Sequence, residues 1–192
     1  MNAPLFGIII PTYNRPELML AAVEAVKKQT YPNWILVVVD DASRADYNEA
    51  RARLDDPRIT YIRRELNGGC NAARNTGIDE VVRRGADFMI SSGDDEVFDP
   101  RCLEVAREKI AQHPECGWFM SNTSGDTKAS TRQITREGYF DWFDDYLYGK
   151  ALRGDKTHAI KLSVLGDIRY DGRYRASNMW PFFAPLAARS RI

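Results

Sequence analysis

The chain has 192 residues, of which 44% are hydrophobic and 28% are charged, as is typical of soluble globular proteins. Its 27 Lys and Arg residues balance its 27 Asp and Glu residues, so the net charge is zero. This balance excludes the general basic field that nonspecific nucleic-acid binding requires, and we expect no nucleic-acid partner. The length favours one domain over residues 1–192.

Targeting and metal-site patterns are largely missing from the sequence. No apolar stretch approaches the roughly 18 residues of a membrane span, and the N-terminus lacks the basic region of a signal peptide. The three cysteines, Cys70, Cys102 and Cys116, form no CxxC pattern and are interpreted as reduced thiols of a cytoplasmic protein. His113 and His158 are too far apart in sequence to indicate a zinc site.

The first predicted elements are two buried strands joined by a helix. The apolar run Leu5–Ile10 ends at Pro11 and is typical of a buried parallel strand. The turn "TYNRPE" follows, in which Asn14 is a candidate helix cap and Pro16 lies in the first helical turn. The β-branched run "WILVVVD", residues 34–40, predicts the second strand.

The alternation of strands and helices continues to about residue 121. A short helix is predicted at 47–54, a third strand in "RITYIRR", and a helix after the glycine turn of "NGGCNAARNTGIDEVVRRG", with Gly85 just past its end. "DFMIS" predicts the fourth strand, 101–112 a helix, and "CGWFMS" the fifth strand. This order predicts an α/β layer fold with a mostly parallel sheet.

The pattern changes after Ser121. Residues 122–138 are polar and are interpreted as a loop or a pair of edge strands, whereas the following "YFDWFDDYLYG" is aromatic and acidic. We interpret 123–192 as an added layer that faces the substrate.

Four unusual stretches follow the predicted strands: "PTYNR", "DDAS", "NGGCNAARN" and "SSGDDE". Ligands of open parallel sheets bind outside the carboxyl ends of the strands, so these stretches are candidate site loops. Each has a purely structural alternative. Asp40 and Asp41 are also typical capping or turn residues, Gly69 can simply make a turn, Arg74 can lie on a helix surface, and Tyr13 can pack.

The cluster Asp94-Asp95-Glu96 is harder to explain by structure alone. Adjacent carboxylates are costly unless they are hydrogen-bonded or neutralised by a cation. Mg²⁺ or Mn²⁺ is a suitable neutraliser, because these ions bind one or two carboxylates together with phosphate oxygens. A solvated acidic turn is the alternative.

The ordered set "GIIIPTYNRP", "VVVDDAS", "NGGCNAARNTGI" and "SSGDDEVFDP" resembles family-2 glycosyltransferases of the GT-A fold, over Phe6–Pro114. The resemblance implies a Rossmann-like three-layer sandwich, with 1–122 as the nucleotide-sugar-binding half and 123–192 as the acceptor-facing half. It implies Mn²⁺ or Mg²⁺ as cofactor, held by Asp94 and Asp95. The nucleotide-binding residues that it implies are Pro11, Thr12, Tyr13, Asn14, Asp40, Asp41, Gly69, Arg74 and Asp94.

The activity implied by the resemblance is inverting transfer of a sugar, hexosyl in type, from a nucleotide-diphosphate sugar to an acceptor hydroxyl. Uridine diphosphate is the favoured nucleotide, and the acceptor is an unknown sugar or glycan. By the same resemblance, Tyr13 would stack on the base, Asp41 would accept a hydrogen bond from the base edge, and Asp40 would support it. The alternative is a relative that binds the nucleotide sugar with weak or no catalysis.

Two positions depart from the family pattern. Ser92 stands where an additional Asp is common, and Asn178 stands where the family has its catalytic carboxylate. An amide cannot act as a general base, so Asn178 is predicted to cap a helix and the catalytic residue stays unassigned. Asp167 and Asp171 are alternative candidates for the base. Because the chain ends soon afterwards, a truncated form of a longer enzyme is also considered.

Overall fold

A computed structural model describes residues 3–122, 134–148, 156–175 and 179–192. The strands are β1 Phe6–Thr12, β2 Trp34–Asp40, β3 Ile59–Arg63, β4 Phe88–Ser91, β5 Trp118–Asn122 and β6 Lys156–Lys161. The α-helices are α1 Pro16–Lys27, α2 Asn48–Ala52, α3 Cys70–Arg83, α4 Cys102–Gln112, α5 Leu162–Leu165 and α6 Trp180–Ala187, and a π-helix spans Trp142–Tyr148.

The strands form one six-stranded sheet in the order β3-β2-β1-β4-β6-β5. Strand β1 pairs in parallel with β2 and with β4, and β2 pairs in parallel with β3. Strand β6 is antiparallel to both of its neighbours, β4 and β5, and thus lies between two strands that precede it in the chain. The predicted α/β fold with a mostly parallel sheet is confirmed.

Both faces of the sheet are covered. All residues of β1 and β2 are buried, so these strands need helices on both sides. Ile8 and Ile10 pack with Met19 of α1 on one face, whereas Ile9 packs with Ile78 of α3 on the other. Helix α4 joins the α1 side and α6 joins the α3 side, which gives the predicted three layers.

The end of α3 is as predicted, whereas the start of α1 is different. Gly85 follows the C-cap of α3 with a positive φ of 75°, a conformation that glycine adopts without strain. The prediction that Asn14 caps α1 is wrong, since Arg15 occupies the N-cap position. The Asn14 side-chain oxygen instead accepts hydrogen bonds from the backbone N–H groups of Arg44 and Ala45. Asn14 therefore connects the loops after β1 and β2.

The C-terminal elements pack mainly through aromatic rings. Trp118 of β5 stacks on Phe183 of α6 with ring centroids 5.2 Å apart, and Trp142 of the π-helix stacks on Trp180 at 5.3 Å. Strand β6 and the helices after it were not predicted individually. Of the stretch 122–138, residues 123–133 lie outside the described residues. Asn178 also lies outside them, and Met179 holds the N-cap position of α6.

Candidate functional site

A cavity of about 460 Å³ lies where β1, β2 and β4 end, and it is bounded by the start of α3. It brings together most of the residues predicted from the four loops: Pro11, Thr12, Tyr13, Asp41, Gly69, Arg74, Asp94 and Asp95. The structure adds residues that sequence reasoning missed, among them Arg15, Asn67, Cys70 and Arg175. Asn14 and Asp40, which were also predicted, do not line the cavity.

Asp40 is buried beneath the cavity and organises the turn after β2. Its carboxylate accepts hydrogen bonds from the Ser43 backbone N–H at 2.8 Å and from the Tyr61 hydroxyl at 2.7 Å. Burial and the hydrogen bond to Asp40 raise the pKa of Tyr61, so the hydroxyl stays protonated as the donor. The side chain of Asp40 therefore supports the loop after β2 from behind, and its role in nucleotide binding stays a prediction.

Asp41 holds the glycine turn that precedes α3. Its two carboxylate oxygens accept hydrogen bonds from the backbone N–H groups of Gly68 at 3.1 Å and Gly69 at 2.6 Å, and from Arg64. The side-chain amide of Asn67 donates to the Asp41 backbone carbonyl at 2.9 Å. A carboxylate offers about four acceptor directions, so these three donors leave room for a further donor from the cavity.

Gly69 brings the C-terminal segment against the cavity. Its φ of 87° belongs to the left-handed region, and an added Cβ would lie 2.7 Å from the Cα of Arg175. Arg175 also donates to the side-chain oxygen of Asn67. Farther along α3, Asn75 exchanges hydrogen bonds of 2.8 and 2.9 Å with the backbone of Tyr170. These contacts place Arg175 at the rim of the cavity, more than a hundred residues away in sequence.

The acidic cluster after β4 divides into a pair and a separate residue. Asp94 is buried and accepts hydrogen bonds from the Thr12 hydroxyl at 2.8 Å and from Arg15 Nη1 at 3.2 Å. The same nitrogen lies 3.4 Å from Asp95 Oδ2, and the Asp95 side chain is 62% exposed. Glu96 turns back onto its own loop, where it accepts a 2.6 Å hydrogen bond from Ser92.

Arg74 lines the cavity, and its guanidinium makes only long contacts with its neighbours. Its Nη1 lies 3.4 Å from the Asn71 side-chain oxygen and 3.6 Å from the Met179 sulfur, and its guanidinium lies 5.3 Å from the centre of the Tyr170 ring. Its Nε is buried and has no hydrogen-bond partner within the described residues. No carboxylate in that part of the chain forms an ion pair with it, so the guanidinium can bind an anion.

The sequence model of Glycosyl transferase family 2 matches residues 7–163, which is most of the chain. The chain belongs to glycosyl transferase family 2. Over 106 residues it is 37% identical to the putative colanic acid biosynthesis glycosyl transferase WcaA of Escherichia coli K12, covering 54% of this chain and 37% of that protein.

A second relative is the E. coli protein WfgD, named a UDP-Glc:alpha-D-GlcNAc-diphosphoundecaprenol beta-1,3-glucosyltransferase. The two proteins are 33% identical over 105 residues, which is 55% of this chain and 40% of WfgD. The chain therefore spans less than half the length of either curated relative.

Solved glycosyltransferase structures share the fold. The structure of Staphylococcus aureus TarS residues 1–349 superposes with a TM-score of 0.79 at 16% identity, covering 97% of this chain and 56% of that one. Mannosyltransferase PcManGT of Pyrobaculum calidifontis, in complex with GDP-Man and Mn²⁺, superposes with a TM-score of 0.60 at 21% identity, covering 86% and 46%. The predicted GT-A fold is confirmed.

Asp167 and Asp171, the two alternative candidates for the general base, both lie outside the cavity. Asp171 is paired with Arg173 at 2.6 Å and Asp167 with Arg189 at 2.8 Å, and these hydrogen bonds lower the pKa of each carboxyl. Neither Asp lines the cavity in the part of the chain that is described. Asn178, the family-pattern position, lies outside the described residues.

Cys70 is the first residue of α3 and lines the cavity. Burial raises the pKa of its thiol, so the group is neutral near pH 7 and is a poor nucleophile. Cys70, Cys102 and Cys116 are all free cysteines, as predicted. A covalent mechanism through Cys70 is not supported by this environment.

The described residues also bear on the predicted absence of a membrane span and on the predicted metal site. Those residues include no helix that is long and apolar enough to cross a membrane. They also include no cluster of three or more His, Cys, Asp or Glu side chains arranged to bind a metal ion. A cation at the acidic pair would therefore need ligands from a bound molecule or from water. The cytoplasmic location stays a prediction.

Proposed function

We propose that the chain transfers a hexosyl group from a nucleotide-diphosphate sugar, UDP-linked in our preferred assignment, to an acceptor hydroxyl. The observation that carries the proposal is the cavity at the strand ends, which is lined by Asp94 and Asp95, an exposed tyrosine and three arginines. WfgD is named as a UDP-Glc enzyme, and TarS has been solved with UDP-GlcNAc, in a structure that superposes with a TM-score of 0.70 at 18% identity.

The nucleoside would bind at the ends of β1 and β2. Tyr13 is 42% exposed beside Pro11 and Thr12, so its ring offers a face on which a base can stack. Asp41 retains acceptor capacity and lines the same cavity, which suits an N–H donor on the base edge. Gly69, held by Asp41, lets the backbone approach the ligand without a side chain.

The acidic pair would hold Mn²⁺ or Mg²⁺. A cationic nitrogen of Arg15 already lies between the carboxylates of Asp94 and Asp95, so the geometry and the oxygen donors suit a divalent cation. Such an ion commonly completes its coordination with diphosphate oxygens and water. The bound ion would supply Lewis-acid stabilisation of the leaving diphosphate. PcManGT, which was solved in complex with GDP-Man and Mn²⁺, supports this choice of cofactor.

Arg74 and Arg175 would contact the diphosphate from the α3 side. Guanidinium groups match phosphate oxygens with paired hydrogen bonds, and Arg74 has no competing carboxylate among the described residues. Preorganised cations near the leaving group stabilise charge that develops in the transition state. The lining of the cavity thus provides recognition of the donor and part of the stabilisation that transfer needs.

The acceptor hydroxyl would attack the anomeric carbon from the face opposite to the diphosphate, which inverts the configuration. A general base must accept the hydroxyl proton, and such assistance typically contributes about 10²–10⁴-fold in rate. If Asn178 holds the position of that base, Asn178→Asp should raise turnover, because it restores a proton acceptor of similar shape. An increase in transfer together with an inverted product in NMR would support both assignments.

A binding-only relative is the second candidate, since the family-pattern position carries Asn178 rather than a carboxylate. Donor binding with no transfer to any acceptor in a sugar panel would favour it. In that case Asp167→Asn and Asp171→Asn should leave donor affinity unchanged, because both carboxylates are engaged with arginines outside the cavity.

A thermal-shift panel of UDP, GDP and ADP, each with Mn²⁺ or with excess chelator, tests the proposed donor class. A nucleotide at about 100 times its dissociation constant should stabilise the fold by roughly 2.7 kcal/mol. We expect the largest shift with UDP and Mn²⁺, and loss of the metal dependence in Asp95→Ala. Equal UDP binding in chelator would refute the metal assignment, and no shift with any nucleotide would refute the function.

A further inference from the structure

Arg15 occupies the position between the two carboxylates that we assign to the divalent cation. One of its guanidinium nitrogens, Nη1, lies 3.2 Å from Asp94 Oδ1 and 3.4 Å from Asp95 Oδ2. The backbone of Arg15 is anchored at the N-cap of α1, where its N–H donates to the Tyr47 hydroxyl at 2.9 Å. The residue is therefore placed by the fold to neutralise the acidic pair.

The contacts of the Arg15 side chain are suited to release. Both distances are at the long end of the hydrogen-bond range, and the side chain is 52% exposed. The pair with Asp95, whose side chain is 62% exposed, is screened by water, whereas the buried Asp94 keeps its hydrogen bond from Thr12 when Arg15 leaves. Water is available to solvate the guanidinium once it leaves, so its departure has a modest cost that opposes binding of the cation.

We propose that Arg15 is a resident counter-ion that competes with the divalent cation and is displaced when the cation binds together with the nucleotide diphosphate. This inference rests on the proposed function of the same cavity. Metal–oxygen bonds of about 2.1 Å would bring the carboxylates around the ion, and a guanidinium cannot occupy the same space or tolerate the added positive charge there.

The competition makes binding of the metal conditional on the donor. Without a nucleotide, the bonds from two carboxylates alone must offset the free-energy cost of displacing Arg15 and of dehydrating the ion. With a nucleotide, diphosphate oxygens supply further ligands and additional negative charge, and they can also accept hydrogen bonds from the released guanidinium. The metal and the nucleotide therefore bind with positive coupling, and Arg15 strengthens that coupling by weakening binding of the metal alone.

The test is the affinity of Mn²⁺ alone for the nucleotide-free chain, measured from free Mn²⁺ by electron paramagnetic resonance. Arg15→Gln should bind Mn²⁺ about tenfold more tightly than wild type, because the competing charge is gone. Arg83→Gln is the matched control: it removes the same charge from an exposed ion pair with Glu80 at the far end of α3, and it should bind as wild type does. The gain should disappear in Arg15→Gln/Asp95→Asn.

An Arg15→Gln chain that binds Mn²⁺ no better than wild type, or more weakly, would overturn the proposal. A second titration of UDP, with and without Mn²⁺, separates this inference from the proposed function. If wild type and Arg15→Gln both fail to bind UDP, the function is refuted whatever the Mn²⁺ result is. If both bind UDP but the Mn²⁺ affinities are equal, only the role of Arg15 is refuted.

Discussion

The two parts of the molecule on either side of residues 123–133 are built by different interactions. Up to Asn122, polar loop residues at the strand ends are fixed by hydrogen bonds to backbone groups, as Asp41 is to Gly68 and Gly69. From Ile134 onward, stacked rings such as those of Trp142 and Trp180 dominate the packing. The chemistry of the cavity therefore comes mainly from the first part, and the second part supports it and adds Arg175.

The strongest test of this comparison is whether the second part, from Ile134 onward and here called the aromatic part, unfolds together with the parallel sheet. Trp118, on β5 at the end of the first part, is fully buried, stacks on Phe183 of the aromatic part and belongs to the same hydrophobic cluster as Ile9 and Val37 of the central strands. Trp118→Ala should lower the free energy of unfolding by about 3–5 kcal/mol in urea titrations, with one cooperative transition. Trp180→Ala, at a side chain that is 47% exposed, should cost much less.

Two separated unfolding transitions in Trp118→Ala, with the parallel sheet unfolding last, would show that the two parts are independent. That outcome would also contradict the single domain predicted from the length of the chain.

The next effect concerns the hydrogen-bonded loops of the first part. Asp41→Ala should weaken UDP binding by about 1.5–3 kcal/mol in calorimetry, because it removes an acceptor and releases the glycine turn. Asp46→Ala is the control, since that exposed carboxylate accepts a hydrogen bond from the nearby Asn48 N–H and does not line the cavity. Equal affinities for both variants would restrict Asp41 to a role in the turn.

The aromatic part also predicts an acid-sensitive stability. The His158 ring packs on Phe183 and accepts a 3.0 Å hydrogen bond from Trp118, and burial lowers its pKa from 6.5 to about 3. Between these values the unfolded chain binds a proton that the folded chain excludes. Stability should therefore fall as the pH decreases below 6.5, by at most about 1.4 kcal/mol per pH unit.

His158→Gln keeps a hydrogen-bond acceptor for Trp118 but cannot titrate, so its unfolding free energy should depend less on pH over this range. His113→Gln is the matched control, since it replaces a histidine that lies against Tyr139 and Glu115, away from Trp118 and Phe183. Identical slopes in wild type and His158→Gln would show that other groups account for the acid sensitivity.

The smallest predicted effects differ in sign between the two parts. Gly85→Ala should destabilise the chain by about 1–2 kcal/mol, since φ is positive there. Gly172→Ala should stabilise it by roughly 0.4–1 kcal/mol, because no φ in the left-handed region is required and the added methyl group meets open space. Thermal unfolding of both variants checks the signs, and two destabilised variants would contradict the account of residue 172.

The sheet and the cavity were predictable to different extents. Uninterrupted apolar runs made β1 and β2 identifiable, and the rule that ligands bind at strand ends brought Tyr13, Asp41 and Asp94 to one place. Strand β6 was not predictable, because the segment around His158 lacks clear alternation and its partner β4 is far away in sequence. Its position depends on long-range pairing that local patterns do not encode.

The missed cavity residues have the same explanation. Arg15 stood in the predicted turn after β1 and Arg175 in the stretch 123–192, whose elements were not predicted individually, and each reaches the site only through contacts between distant loops. Asn14 is a typical helix-capping residue by its position before Pro16, but its side-chain oxygen accepts hydrogen bonds from backbone N–H groups of the loop after β2 instead. Local propensity therefore predicts the loops, and tertiary contacts decide which side chains line the cavity.

The most direct test of the central claim is the anomalous difference map of crystals grown with UDP and Mn²⁺. The account predicts a manganese peak about 2.1 Å from a carboxylate oxygen of Asp94 or Asp95, with the diphosphate on the same ion and the uracil against Tyr13. A nucleotide bound in another cavity, or one bound here with no manganese at the acidic pair, would contradict it.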